Sequence, residues 1–127
     1  DAYDEPVVVR GIPFVSLCRH HLLPFRGTAT VGYVPGDRLV GLSKLARVVA
    51  HHARGLQVQE ALTVQIARTL ETALEPRGVG VVVEAEHLCM SARGVRTETA
   101  LTTTTAFRGA LAADPALQAR FIGARPV

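Results

Sequence analysis

Long hydrophobic runs are missing from this chain, and aromatic residues, cysteines and lysines are scarce. No apolar stretch in its 127 residues approaches the roughly 20 needed to cross a bilayer as a helix, so no helical membrane span is expected within it. Aromatic residues make up only 5% of the chain, too few for an extended base-stacking surface. The net charge of +3 is not gathered into any basic run, so nucleic acid is not an expected partner. Lys44 is the single lysine among 14 basic residues, and anionic small molecules stay open as ligands. The two cysteines, Cys18 and Cys89, are too few and too far apart for a disulfide scaffold. The opening "DAYDEPVVVR" is acidic, unlike a secretory leader, so a cytoplasmic protein with metal-binding or free thiols is expected.

What is present suits one globular domain with one core: 48% hydrophobic and 20% charged residues over a single domain's length. Residues 6–18 are rich in valine and read as a strand, bulged where Gly11 and Pro13 interrupt it. Residues 27–34, "GTATVGYV", read as a second strand that ends at the "PGD" turn and runs antiparallel to the first. From Leu42 the period becomes helical, with Leu42, Leu45, Val48 and Val49 on one face and Ser43 placed to help start the helix. A second helix is expected from about Val58 to Leu74, where Leu62, Ile66, Leu70 and Leu74 recur four apart. Residues 79–89 return to period two, so Val79, Val81, Val83, Ala85, His87 and Cys89 share a face. A threonine-rich strand over about 96–107 and a short helix near 114–122 complete the pattern. The order ββααββ predicts an α+β fold: an antiparallel four-stranded sheet with two helices on one face. Its other face and its edges would need cover, which favours a homo-oligomer.

The chemistry concentrates in "SLCRHHLLPF". Cys18 and His21 have the C-x-x-H spacing that lets both side chains reach one metal ion. His87 and Cys89 end an apolar strand face, where a histidine and a thiol gain little without partners. Two cysteines and one histidine make three good Zn²⁺ ligands. His20 and His87 then either supply a fourth ligand to a structural zinc or move protons beside a catalytic one. Lys44 and Arg47 lie three apart at the start of the first helix, either as a solvated basic face or as a cradle for an anion such as phosphate. Arg93, in "CMSARGV", would join them. Glu60, in "QVQE", is either a favourable first-turn acid or an acceptor for two N–H groups of a guanine-like ring edge.

Together these stretches resemble the GTP cyclohydrolase I family of the tunnelling-fold superfamily. The motifs that carry the resemblance are "SLCRHHLLPFRG", "GLSKLAR", "LQVQEALT", "HLCMSARGV" and "TTTTAFRG", in that order, from about Val7 to Ile122. The resemblance implies a homodecamer of two five-membered rings whose sheets close into a barrel, with active sites between subunits. It implies Zn²⁺ held by Cys18, His21 and Cys89, with His20 and His87 left for acid–base chemistry. Gln59 and Glu60 would hold the guanine of GTP, and Ser43, Lys44, Arg47 and Arg93 the ribose and triphosphate. The implied reaction opens the guanine imidazole ring at C8, releases formate and yields 7,8-dihydroneopterin triphosphate, on the way to folate or tetrahydropterins.

The pattern departs from the family at Arg19, where a glutamate is usual, and at Gly55, where an arginine is common. The helical N-terminal region of bacterial and animal members also has no counterpart here. A related zinc cyclohydrolase acting on another purine nucleotide, in specialised or deazapurine metabolism, is the second reading. A nucleotide-binding module with purely structural zinc is the third.

Overall fold

In the computed structural model, residues 3–88 and 100–123 are described. Strand β1 (Val7–Cys18) pairs antiparallel with β2 (Pro24–Val34). Helix α1 (Leu42–Ala53), the two-residue strand β3 (Leu56–Gln57) and helix α2 (Gln59–Leu74) follow. Strand β4 (Gly78–His87) then pairs with β2, and β5 (Thr102–Gly109) with β4, before the short helices α3 (Ala110–Ala113) and α4 (Pro115–Gly123). The α+β architecture is the expected one, with both main helices on one sheet face. Strand β2 starts at Pro24 and not at 27, a short helix Ala110–Ala113 precedes the expected last one, and other details bear on the site. The sheet has five strands in the order β3-β1-β2-β4-β5, because β3 adds a parallel pairing to Leu17 and Cys18. Helix α1 starts at Gly41 without a side-chain cap, so Ser43 lies inside its first turn rather than starting it. The expected start of the last strand, at 96, lies outside the described residues.

The helix-facing side of the sheet alternates as a half-buried strand should. Val79, Val81, Val83 and Ala85 of β4 face Phe25, Ala29, Val31 and Tyr33 of β2. Against them pack Leu45, Val49 and Ala53 of α1 with Leu62, Ile66, Ala67, Leu70 and Leu74 of α2. In β1 the inward set changes parity. Val7 and Val9 pack against this core, then the register shifts at Gly11 (φ 69°), and Ile12, Phe14, Ser16 and Cys18 become the buried set. A bulge residue with positive φ is a role glycine fills without steric cost.

The second face of the sheet is divided, and this chain's own α4 covers one end of it. At one end Phe121 of α4 is fully buried with Val34, Val82 and Leu111. Its ring lies on Gly32 and Gly80, which are paired across β2 and β4, and a Cβ added at either would come within 2.8 and 3.0 Å of that ring. Asp114 holds α4 in place by accepting from the Ala116 N–H (2.9 Å), and Arg120 pairs with Glu5 at 2.7 Å. The other end carries Arg26, Thr28, Glu84, Glu86, Thr103 and Thr105, a polar surface that tolerates water. Phe121→Ala should therefore cost about 3–5 kcal/mol, as a cavity-forming loss of a buried aromatic side chain. The denaturant midpoint of the variant measures this; a midpoint near that of the parent would mean α4 does not close the sheet.

Candidate active site

Cys18, the last residue of β1, is buried at the end of the helix-facing side. The chain reverses immediately after it. The Leu22 N–H donates to the Cys18 carbonyl and the Cys18 N–H to the Leu23 carbonyl, each at 2.8 Å. Closing this turn places Leu22 at φ 56°, a left-handed conformation uncommon for leucine, with its side chain exposed. The reversal carries His21 back over the strand end, and its Nδ1 lies 3.5 Å from the Cys18 Sγ. Two ligands bound to one zinc at ordinary Zn–S and Zn–N lengths, at a tetrahedral angle, stand about 3.6 Å apart. The pair therefore fits a shared zinc in both donor type and separation. Cys89, the expected third ligand, lies outside the described residues, and among the described residues no third histidine, cysteine or carboxylate joins the pair. The ring of His20 stands 6.4 Å from that of His21 at 80°, so the neighbouring histidines diverge. Arg19 is exposed, with its backbone N–H held by the Gln57 carbonyl at 2.8 Å.

His87 enters the same corner from β4. Pairing of β2 with β4 sets it opposite Phe25, and the two rings stack with centroids 4.9 Å apart and planes within 4°. Burial lowers its pKa below the usual imidazole value; the nearby Glu60 carboxylate opposes this and His21 adds to it. A lowered pKa keeps the ring neutral at pH 7, so it has a lone pair with which to take a proton. Glu60 itself is exposed in the first turn of α2, where a carboxylate also suits the helix dipole.

Gln59 does not fit the expected role of holding a guanine. It is 1% exposed, and its carboxamide is fully engaged by the protein. The Oε1 contacts His87 Nε2 at 2.6 Å, while the two hydrogens of Nε2 are shared among the carbonyls of Thr102 (2.9 Å) and Val83 (3.3 Å) and Thr104 Oγ1 (3.1 Å). Both hydrogens of that amide are taken up within the protein, and its oxygen contacts His87.

Ser43, Lys44 and Arg47 form a second group elsewhere. They line an open cavity of about 380 Å³ beside Arg38 and the end of α2 at Ala73 and Leu74. With no acid in the first turn of α1 and no side-chain cap, its free N–H groups and both cations face the same opening. The hydroxyl of Tyr33 accepts from the Val40 N–H at 3.0 Å and pins the loop leading into α1. From Gln59 to Leu74 helix α2 rises roughly 22 Å, so the cations and the His87 corner occupy opposite ends of one chain. Arg93 lies outside the described residues.

The comparisons with known proteins identify the family. The family model of GTP cyclohydrolase I matches residues 1–125. This chain belongs to the GTP cyclohydrolase I family. A curated GTP cyclohydrolase 1 from Sinorhizobium fredii is 52% identical over 120 residues, covering 94% of this chain and 58% of that protein. Its counterpart from Mycobacteroides abscessus is 55% identical over 124 residues, covering 96% of this chain and 61% of the relative. The chain thus spans about three fifths of the length of the family members it matches. Among solved structures, an archaeosine synthase QueF-Like in the apo form superposes with a TM-score of 0.65 at 18% identity, over 84% of this chain and 96% of that one. An E. coli dihydroneopterin aldolase in complex with neopterin gives 0.64 at 11% identity, over 83% and 99%. Those two likenesses establish the tunnelling fold for this family member.

Several contributors to the site escaped the sequence reading. Phe25 shares the "HHLLPF" segment with the histidines, yet its stacking on His87 follows only from strand register. Gln57, 6% exposed, donates to the His52 carbonyl and to Gln65 Oε1, both at 2.8 Å, and so ties α1 and α2 to the strand beside Cys18. Alternation along "TTTT" was the one signal for Thr104, placing it with Thr102 on the helix-facing side of β5.

Proposed function

We propose that this chain is the catalytic part of a GTP cyclohydrolase I: it opens the guanine imidazole ring of GTP by hydrolysis at C8, releases formate, and gives 7,8-dihydroneopterin triphosphate. The observation that carries this reading is the convergence of the Cys18–His21 pair and a neutral His87 on one corner of the sheet, in a chain of this family. Cys18, His21 and Cys89 would hold a zinc ion, which when bound polarises water for attack at C8. His87 takes and returns a proton at the imidazole nitrogen of the purine, and His20, diverging from the ligand histidine, serves the hydrolysis and later proton transfers. Glu60 accepts from the guanine N–H groups. Ser43, Lys44, Arg47 and Arg93 hold the ribose and triphosphate through charge-assisted hydrogen bonds.

These roles are best met by more than one copy of the chain. The cations stand at the Leu74 end of α2 and His87 at its Gln59 end, roughly 22 Å apart along the helix, so a purine at His87 favours cations from another copy. The cations serving one corner therefore come from a neighbour, in a closed homo-oligomer such as the expected decamer of two five-membered rings. Exposed Leu39 and Leu42 beside the cation cavity, and Val15, Leu17 and Leu56 near the Cys18 corner, give both ends apolar surface for that contact. A cytoplasmic setting, with GTP at hand, suits this reading.

Incubating zinc-loaded, assembled protein with GTP tests it: formate and the dihydropterin ultraviolet band should rise together. Intact GTP after prolonged incubation would defeat the reading. Arg19 places a cation beside the ligand pair, so parallel runs with other purine triphosphates decide the substrate. Better turnover of one of them would transfer the activity to that nucleotide.

A further inference from the structure

The hydrogen bonds around Gln59 leave its amide a single orientation. Its nitrogen faces two backbone carbonyls, those of Thr102 and Val83, which only accept. Turning the amide over would set oxygen against oxygen at both. Its Oε1 therefore faces His87, and because that oxygen also only accepts, the 2.6 Å contact requires the hydrogen to sit on His87 Nε2. In the neutral ring the lone pair is then on Nδ1, and Phe25, stacked at 4.9 Å, holds the ring plane.

Two threonines complete the lock. Thr63 Oγ1 donates to the Gln59 carbonyl one helical turn back, at 2.8 Å, which uses its only hydrogen. At the 2.7 Å contact between the two hydroxyls, Thr104 is thus the donor and Thr63 the acceptor. The remaining lone pair of Thr104 Oγ1 meets Gln59 Nε2 at 3.1 Å. Thr63 and Gln59 are each 1% exposed, so water does not replace these partners. The array runs from α2 through β5 to the imidazole of His87, with the two hydrogens of Gln59 Nε2 shared among the carbonyls of Thr102 and Val83 and Thr104 Oγ1.

We propose that Thr63 and Thr104 are positioning residues. Their hydroxyl pair locks the Gln59 carboxamide, which fixes the ring of His87 and the nitrogen that bears its hydrogen, so Gln59 reads the protein's own histidine and not the guanine edge. The role in turnover rests on the cyclohydrolase reading above; the tautomer does not.

The double variant Thr63→Val/Thr104→Val removes both hydroxyls together and keeps their shape, so its denaturant midpoint should stay near that of the parent. Its kcat for formate release should fall about 10- to 100-fold with KM for GTP nearly unchanged, as when the support of a functional histidine is lost. Thr104→Ser should retain most of the rate. Gln59→Leu should likewise lower kcat and leave KM and the preference for guanine over adenine intact. A rise in KM with relaxed base preference in Gln59→Leu would overturn the proposal, as would an unchanged kcat in the double variant.

A second measurement does not need turnover. In ¹⁵N-histidine-labelled protein, His87, assigned by difference from His87→Gln, should show hydrogen on Nε2 alone, and both tautomers in the double variant. Mixed tautomers in the parent would sink the lock. A single Nε2–H tautomer in a protein that releases no formate would sink the cyclohydrolase reading and leave the lock standing.

Discussion

Co-expressed in equal amounts, His87→Ala chains and Lys44→Ala/Arg47→Ala chains are expected to regain about a quarter of the parent's turnover, since each site takes its halves independently from two copies. Alone, each variant should be nearly inactive. Loss of the proton-transferring imidazole costs about 10²–10⁴-fold, and loss of two phosphate-binding cations, at about 1.5–3 kcal/mol each, costs a comparable factor. The recovery follows from the placement of Ser43, Lys44 and Arg47 at one end of α2 and of His87 at the other. In a mixed assembly half of the corners keep His87, and half of those meet an intact pair of cations. The fraction does not depend on ring size, so the experiment tests the sharing of sites separately from the decamer. Formate release by the mixture, compared with the sum of the two variants measured alone, is the measurement. A mixture no better than that sum would mean that both halves of a site come from one chain.

Cys18→Ala should lose its zinc and, with it, all measurable turnover, while the chain still folds. The thiol is 8% exposed at the end of a strand, where alanine fits the same backbone with only a small void. Its Sγ stands 3.5 Å from His21 Nδ1, so its loss removes the thiolate of that ligand pair. Elemental analysis gives zinc per chain, and denaturant midpoints of metal-free parent and variant should differ by about 1 kcal/mol or less in stability. Full zinc occupancy in the variant would remove Cys18 from the ligand set.

What could be read from the sequence was local. Cys18 and His21 sit within one turn of chain, and their spacing already implied that the two side chains meet, as they do at 3.5 Å. Leu62, Ile66, Leu70 and Leu74 recur on a helical period and became the buried face of α2. Contacts set by strand register were hidden, because Phe25, His87 and Thr104 lie on three different strands. Gln59 and Glu60 illustrate a subtler limit. Adjacent helical residues point about 100° apart, so a pair that looked like one binding unit is divided between the interior and the surface. The joint reading of "GLSKLAR" with "LQVQEALT" concealed the length of helix between their ends. The glycines in "TVGYV" and "VGVVV" are the floor on which Phe121 rests, a contact between the sheet and α4 that neither segment signals alone.

Gly11 acts as a counter. Six residues separate its left-handed kink from Cys18, and the strand alternates faces all the way between them. One residue removed from that interval would carry the thiol through the plane of the sheet, leaving Leu17 over the helices and the sulfur among Arg26 and Glu86. Composition would hardly change and the helices would keep an apolar neighbour, yet the ligand would be on the wrong side. The distance from Gly11 to Cys18, counted in residues and not in ångströms, is thus itself part of the active site.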